Sequence, residues 1–141
     1  MWKLLLKEEF DKFLQDEPVR RGKRTLAALK EADIGFNVLE DTEVNYNEAE
    51  VHVRDTDLWE CLSVKGTLTF ILGGELIDPR ITRQDSAGNP LEYKARAIRG
   101  GTTVEVKAGD HLKITVGVPH QHQCSGTARL KIIKIPKDSR G

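Results

Sequence analysis

Cysteine is scarce in this chain: Cys61 and Cys124 are the only two among 141 residues. Two thiols cannot staple a small fold as a disulfide framework does, so a buried core must supply the stability, and a cytoplasmic protein with reduced thiols is expected. Charge of one sign is also lacking, with 22 basic residues against 22 acidic ones. A net charge of zero gives no long-range pull toward nucleic acid or anionic membrane, and neither is expected as a partner. The one basic cluster, Arg20-Arg21-Gly22-Lys23-Arg24, follows Asp16, Glu17 and Pro18 and reads as a solvated segment. No apolar run approaches the length of a membrane span. The start, Met1-Trp2-Lys3-Leu4-Leu5-Leu6, turns acidic at Glu8 and Glu9 without a small-residue cleavage site, unlike a signal peptide. A Ser-His-Asp order, a Walker loop and a CxxC motif are all missing, which removes the common nucleophile, nucleotide and zinc-ribbon chemistries.

What the chain does have is glycine turns between short alternating runs. Its length suits one domain with a proper core. Residues 2–15 place Leu6, Phe10, Phe13 and Leu14 at helical spacing, and Pro18 stops that helix. A second short helix is expected over 25–32, with Thr25 as N-cap, Gly35 past its end, and Leu26 and Leu29 on its buried side. Residues 1–35 are thus expected to be a helical extension packed outside a β domain over 36–136, with 137–141 as a tail. From Phe36 the period becomes two. Strands are expected over 36–40, 50–54, 58–64, 67–72, 75–78, 93–98, 102–106, 111–116, 120–124 and 128–135. Gly73-Gly74 reads as a two-residue hairpin turn, and 80–90 as the longest loop. Many short strands between glycine turns predict a mainly β sandwich or barrel.

One stretch concentrates the chemistry: Gly109-Asp-His-Leu-Lys-Ile-Thr-Val-Gly-Val-Pro-His-Gln-His-Gln-Cys124. A strand with Leu112, Ile114 and Val116 on one side leads through a turn to His120 and His122. Residues two apart on a strand face the same way, so both imidazoles point to one side. His52 in Val51-His52-Val53-Arg54 offers the same arrangement upstream. The bland alternative for any of these histidines is a hydrogen-bonded core residue, and it is favoured for His122 and for His111, which has solvent-side parity. Trp59 reads as a packing or dimer-interface residue, and the two cysteines as small buried hydrophobes.

These segments resemble a small single-domain cupin over roughly residues 36–136. The second cupin motif is glycine, five residues, proline, one residue, glycine, two residues, histidine, then asparagine after three more. Gly109, Thr115, Gly117, His120 and Cys124 keep that spacing, with Thr115 in place of proline and Cys124 in place of asparagine. The first motif is histidine, one residue, histidine, three or four residues, glutamate, six residues, glycine. Here it is matched loosely by His52, Arg54, Glu60 and Gly66. Asp57 is the rival acid. Glu60 is preferred on parity with His52, Arg54, Leu62 and Val64, and a β-bulge between Arg54 and Gly66 would reverse that choice.

The resemblance implies a jelly-roll barrel, commonly a homodimer, with one Fe, Mn, Ni or Zn ion on histidines and a carboxylate. The implied ligands are His52, Glu60 and His120, with His122 as a further nitrogen. A guanidinium at the Arg54 position repels a divalent ion and has no lone pair to donate. Either Arg54 swings away from a surviving metal set, or the site has given up metal. In the second case Arg54 pairs with Glu60 or Asp57, or grips a carboxylate or phosphate on a ligand. In a metal-dependent enzyme it orients an anionic group of the substrate, and Gln121 or Gln123 hydrogen-bonds that substrate. Two functions follow as expectations: a metal-dependent dioxygenase, isomerase or lyase acting on a small polar molecule, or a non-catalytic small-ligand binding or sensing module without metal.

Overall fold

Alternating burial along the chain produces antiparallel strands and little else. The structure is a computed structural model that describes residues 4, 6, 8, 22–25, 35–41 and 48–136. Thirteen strands run through those residues. They are β1 (Gly22–Thr25), β2 (Gly35–Asp41), β3 (Ala49–His52), β4 (Asp55–Lys65), β5 (Leu68–Leu72), β6 (Glu75–Leu76), β7 (Arg80–Gln84), β8 (Pro90–Ala95), β9 (Ile98–Arg99), β10 (Thr102–Val106), β11 (His111–Ile114), β12 (His120–Cys124) and β13 (Thr127–Pro136). One sheet has the order β1-β2-β13-β4-β11 and the other β10-β5-β12-β3-β8-β7, while β6 and β9 form a small ribbon. Neighbours far apart in sequence pair antiparallel across both sheets, as a jelly roll requires.

The core lies between the two sheets. Trp59 and Cys61 of β4, Ala128, Leu130 and Ile132 of β13, and Ile114 of β11 face Leu68 and Phe70 of β5, Val106 of β10 and Cys124 of β12. Each of the larger side chains contributes roughly 1.5–3 kcal/mol on full burial. Both cysteines are buried and free, and burial, followed by the negative charge of Asp110, pushes the Cys61 thiol above its ordinary pKa. That environment makes Cys61 an inert packing group rather than a nucleophile.

The structure departs from the sequence reading in several places. Residues 80–90 are not all loop, because β7 occupies Arg80–Gln84 and pairs with β8. All five β7 residues are exposed, so no burial alternation marked the strand. Gly73-Gly74 does not close a hairpin between β5 and β6. Leu72 pairs with Thr102 and Glu75 with Arg99, so β5–β6 and β9–β10 make one long ribbon interrupted by glycines. Gly73, Gly74, Gly100 and Gly101 all have positive φ there. A Cβ on Gly74 would stand 2.5 Å from the Arg99 carbonyl oxygen, so this close approach of two backbones requires glycine. The helices expected over 2–15 and 25–32 lie largely outside the described residues; Thr25, the expected N-cap, ends β1. Among the described residues no helix is long and apolar enough to cross a membrane.

Candidate metal centre

Strand register alone assembles a polar cluster at one end of the core. On one sheet, β12 pairs with β3 so that His120 lies opposite Glu50, and β3 pairs with β8 so that Glu50 meets Lys94 and His52 meets Glu92. On the other sheet, β4 and β13 set Asp57 opposite Lys134. The chain turns from the first sheet to the second between His52 and Asp55, which brings Asp57 against His52. Glu50, His52, Asp57 and His120 are all buried.

Their atoms converge. Glu50 Oε1 lies 3.2 Å from His120 Nε2 and 3.4 Å from His52 Nε2. Asp57 Oδ2 lies 3.4 Å from His52 Nε2 and 3.9 Å from His120 Nε2. One donor atom from each of Glu50, His52 and His120 falls within 4.8 Å of the others, the spacing of a metal-ligand triad. The two imidazole rings are 5.2 Å apart.

Hydrogen bonding fixes what each ring can offer. His120 Nδ1 lies 3.1 Å from the Val118 carbonyl oxygen, which only accepts, so the ring proton sits on Nδ1. The neutral ring then presents a lone pair at Nε2, toward a carboxylate oxygen that is itself an acceptor. His52 differs: Glu92 Oε2 stands 3.4 Å from Nδ1 without forming a hydrogen bond to it, while Nε2 faces Glu50 and Asp57. Asp57 Oδ2 is buried with no hydrogen-bond partner among the described residues. Acceptors facing acceptors in a dry site are costly unless a cation lies between them. A proton answers this at one ring, whereas a divalent ion answers it for all four groups together.

The sequence-predicted residues divide sharply. His52 and His120 are brought together; Glu60 is not. Glu60 lies on the opposite face of β4 from Asp57, with Lys131 Nζ at 2.6 Å from its Oε1 and His111 at 3.8 Å. Two local events account for this. The corner after His52 ends the parity that was carried into β4. In addition, Arg129 pairs with Ser63 and Leu130 with Cys61, which leaves Leu62 as a bulge. Asp57 is the acid beside the histidines. Arg54 also stays away from the cluster: it is exposed and its Nη2 is 3.1 Å from Asp85 Oδ2. Asp85 accepts from the Asn89 backbone and side-chain amides, which with Arg54 hold its carboxyl below the usual range. His122 is buried in an aromatic layer, 5.0 Å from the Trp59 ring and stacked 5.3 Å from Phe70. Gln121 donates from Nε2 to the Arg96 carbonyl at 3.2 Å.

Glu50 was missed, although a signal was present. Starting the first motif one strand step earlier puts Glu50 at the first histidine position and His52 at the second. Asp57 then falls, after four intervening residues, at the acid position. Only the glycine, Gly66, is displaced from the motif, and the bulge at Leu62 lies between it and Asp57.

Comparison with solved structures shows that this is the cupin fold. The protein BH2720 from Bacillus halodurans superposes with a TM-score of 0.59 at 17% identity, over 94% of this chain and 80% of that one. A cupin protein from Bacteroides fragilis gives a TM-score of 0.55 at 12% identity, over 89% and 85% of the two chains. A recombinant oxalate oxidase in complex with glycolate gives 0.53 at 17% identity, over 86% of this chain. The present chain spans 54% of that oxidase. No protein-family model and no curated protein matches the sequence.

Glu92 belongs to the site through its neighbours. The Thr82 hydroxyl donates to Glu92 Oε1 at 2.7 Å, leaving Oε2 to face His52 Nδ1. A carboxylate behind a metal-binding histidine fixes its tautomer and raises its basicity, and removing one typically weakens metal affinity by about 10- to 100-fold. Glu92→Gln is therefore expected to weaken divalent-metal binding within that range, and Thr82→Val to weaken it less, by calorimetric titration. Unchanged affinity in Glu92→Gln would show that His52 does not depend on this carboxylate.

Proposed function

We propose that this chain is a metal-dependent cupin in which Glu50, His52 and His120 hold a divalent first-row ion, with Asp57 as a further oxygen donor. The observation that carries the reading is the convergence of Glu50 Oε1 and Asp57 Oδ2 on the two Nε2 atoms, with Nδ1 of His120 turned to the Val118 carbonyl. The donor set fits such an ion. Two imidazoles and two carboxylates suit Fe2+, Mn2+ or Zn2+, and exchanging a nitrogen for an oxygen moves preference toward the harder ions of that series. Bound there, the metal would polarise a substrate oxygen or activate dioxygen, in dioxygenase, isomerase or lyase chemistry on a small polar molecule. The protein's own part is to fix the ligands: the Val118 carbonyl orients the His120 ring, Glu92 stands 3.4 Å behind His52 Nδ1, and Lys134 holds the outer oxygen of Asp57.

One observation favours a second reading. Lys134 Nζ lies 3.1 Å from Asp57 Oδ1 and 3.4 Å from His52 Nε2, so an ammonium group already offsets part of the negative charge. A cluster satisfied in that way would serve a metal-free barrel that binds a small ligand without turning it over. Metal analysis of protein purified without chelator, followed by reloading with Mn2+, Fe2+ or Zn2+, separates the two. Near-stoichiometric uptake with a rise in melting temperature is the expected result, since a ligand at a hundred times its Kd stabilises by about 2.7 kcal/mol. No uptake of any of the three would leave the metal-free module standing.

A further inference from the structure

We infer that Arg54, Asp55, Arg83 and Asp85 are positioning residues of the metal centre: two reciprocal ion pairs latch the β7–β8 hairpin to the corner between the sheets and so keep Glu92 behind His52. This deepens the metal reading above and rests on it. The hairpin needs such a fastening. Strand β7 is the edge of its sheet, is exposed at all five residues, and has register shifts on both sides of Arg83 in its pairing with β8. A strand with so little buried apolar surface opens locally at low cost.

The fastening runs in both directions. From the corner, Arg54 Nη2 donates to Asp85 Oδ2 at 3.1 Å; from the hairpin, Arg83 Nη2 donates to Asp55 Oδ2 at 3.2 Å. Asp85 is itself fixed, because its Oδ1 accepts the backbone N–H groups of Ala87 and Asn89 and so shapes the hairpin turn. At the other end of β7, Arg80 Nη2 reaches both carboxylate oxygens of Glu48 at 2.8 Å. Each of the three pairs joins residues 48–55 to residues 80–85. Exposed pairs are individually weak, each a factor of roughly 1.5 to 5 in an equilibrium, but several on one hairpin act as a network.

Strand register carries the latch to the metal centre. Arg83 pairs with Glu92 across β7 and β8, and Glu92 with His52 across β8 and β3. The shift between Ile81 and Arg83 leaves Thr82 as the extra residue, and a bulge of this kind re-aims a side chain. The Thr82 hydroxyl donates to Glu92 Oε1 at 2.7 Å, which leaves Oε2 at 3.4 Å from His52 Nδ1. When the hairpin lifts, Thr82 leaves with it, and the Glu92 side chain can turn away from the ring. The effect on metal affinity is bounded above by that of removing the Glu92 charge itself.

The test combines amide hydrogen exchange on the metal-free protein with calorimetric titration of Zn2+. Arg83→Glu, which sets a second carboxylate against Asp55, is expected to speed exchange of the hairpin amides by roughly 3- to 10-fold, while the β13 amides keep the parent's rate. Combining it with Asp55→Lys, which reverses the pair, should restore slow exchange. Zn2+ affinity in Arg83→Glu should fall by roughly 3- to 10-fold, less than in Glu92→Gln. Added negative charge alone would raise affinity for a dication, so a fall has the sign that misplacement of Glu92 gives. In the Glu92→Gln background, Arg83→Glu should cause no further loss, because no carboxylate remains to be positioned. Unchanged hairpin exchange or undiminished Zn2+ affinity in Arg83→Glu overturns the assignment, as does an equal further loss in the Glu92→Gln background. Failure of the parent to take up Zn2+ defeats the metal reading and the positioning role with it, whereas amide exchange reports separately whether the hairpin is latched.

Discussion

His120→Ala is expected to release the metal, with affinity falling by more than the roughly 100-fold that loss of an outer-shell partner causes. His120 is 1% exposed and its orientation is set by the backbone carbonyl two residues before it, so no neighbouring side chain can replace its Nε2 without the strand moving. His52→Ala and Glu50→Gln should follow the same course, and Asp57→Asn a milder one, because Asp57 shares its carboxylate with Lys134. The comparison that makes the result specific is with residues the sequence also favoured. Glu60→Gln should keep its metal in full, since its carboxylate is held by Lys131 on the outer face of β4. His122→Phe should keep it too, because His122 is stacked among Trp59 and Phe70. Metal content by elemental analysis and thermal shift on reloading supply the readout. Full metal occupancy in His120→Ala, or its loss in Glu60→Gln, would move the centre elsewhere.

The apo proteins should order themselves oppositely. Without metal, Glu50 Oε1 meets two ring nitrogens and Asp57 Oδ2 has no hydrogen-bond partner among the described residues, while the Lys134 ammonium offsets only part of the buried negative charge. Glu50→Gln replaces a buried charge with a neutral amide, and its melting temperature without metal should equal or exceed that of the parent.

How much of this was legible depended on whether a motif lies within one strand or spans a corner. His120 was found because Gly109, Gly117 and His120 sit in a single run of strand, turn and strand, where spacing in sequence is spacing in space. His52 was found but its companions were not, because the chain changes sheets at Val53–Arg54 and β4 carries a bulge at Leu62. Parity counted through either event inverts, which is how Glu60 displaced Asp57. Strand β7 escaped notice for a different reason: an edge strand exposed at every residue has no apolar face to betray its period. Glu92 and Lys134 lay beyond reach of any local pattern. Each meets its partner only through pairing, Glu92 with His52 across β8 and β3, and Lys134 with Asp57 across β13 and β4. Such contacts depend on the order of strands in the sheets, which no periodicity encodes.

Trp59→Ala should be the most damaging single change to the fold. Trp59 is 2% exposed and lies edge-on to Phe70 at 5.2 Å, with the His122 ring at 5.0 Å. Truncating a buried aromatic to alanine costs about 3–5 kcal/mol, a large share of the 5–15 kcal/mol by which domains are typically stable. In a chain of this length that corresponds to a fall in Tm on the order of 10–20 °C. Trp59→Phe separates the packing from the indole N–H. Trp59 Nε1 is buried without a hydrogen-bond partner among the described residues, and an orphaned donor carries a penalty of about 1–3 kcal/mol. Phenylalanine removes that penalty while leaving a smaller cavity, so the two effects oppose and Trp59→Phe should melt far closer to the parent than to Trp59→Ala. The same residue lies beneath the proposed metal centre, its ring 6.5 Å from that of His120. Because an unfilled cavity there would let β12 relax toward β4, Trp59→Ala should also weaken metal binding below its Tm, whereas Trp59→Phe should not. A Trp59→Ala variant melting within about 3 °C of the parent, a loss under roughly 1 kcal/mol, would mean that the aromatic layer is not the support on which the site stands.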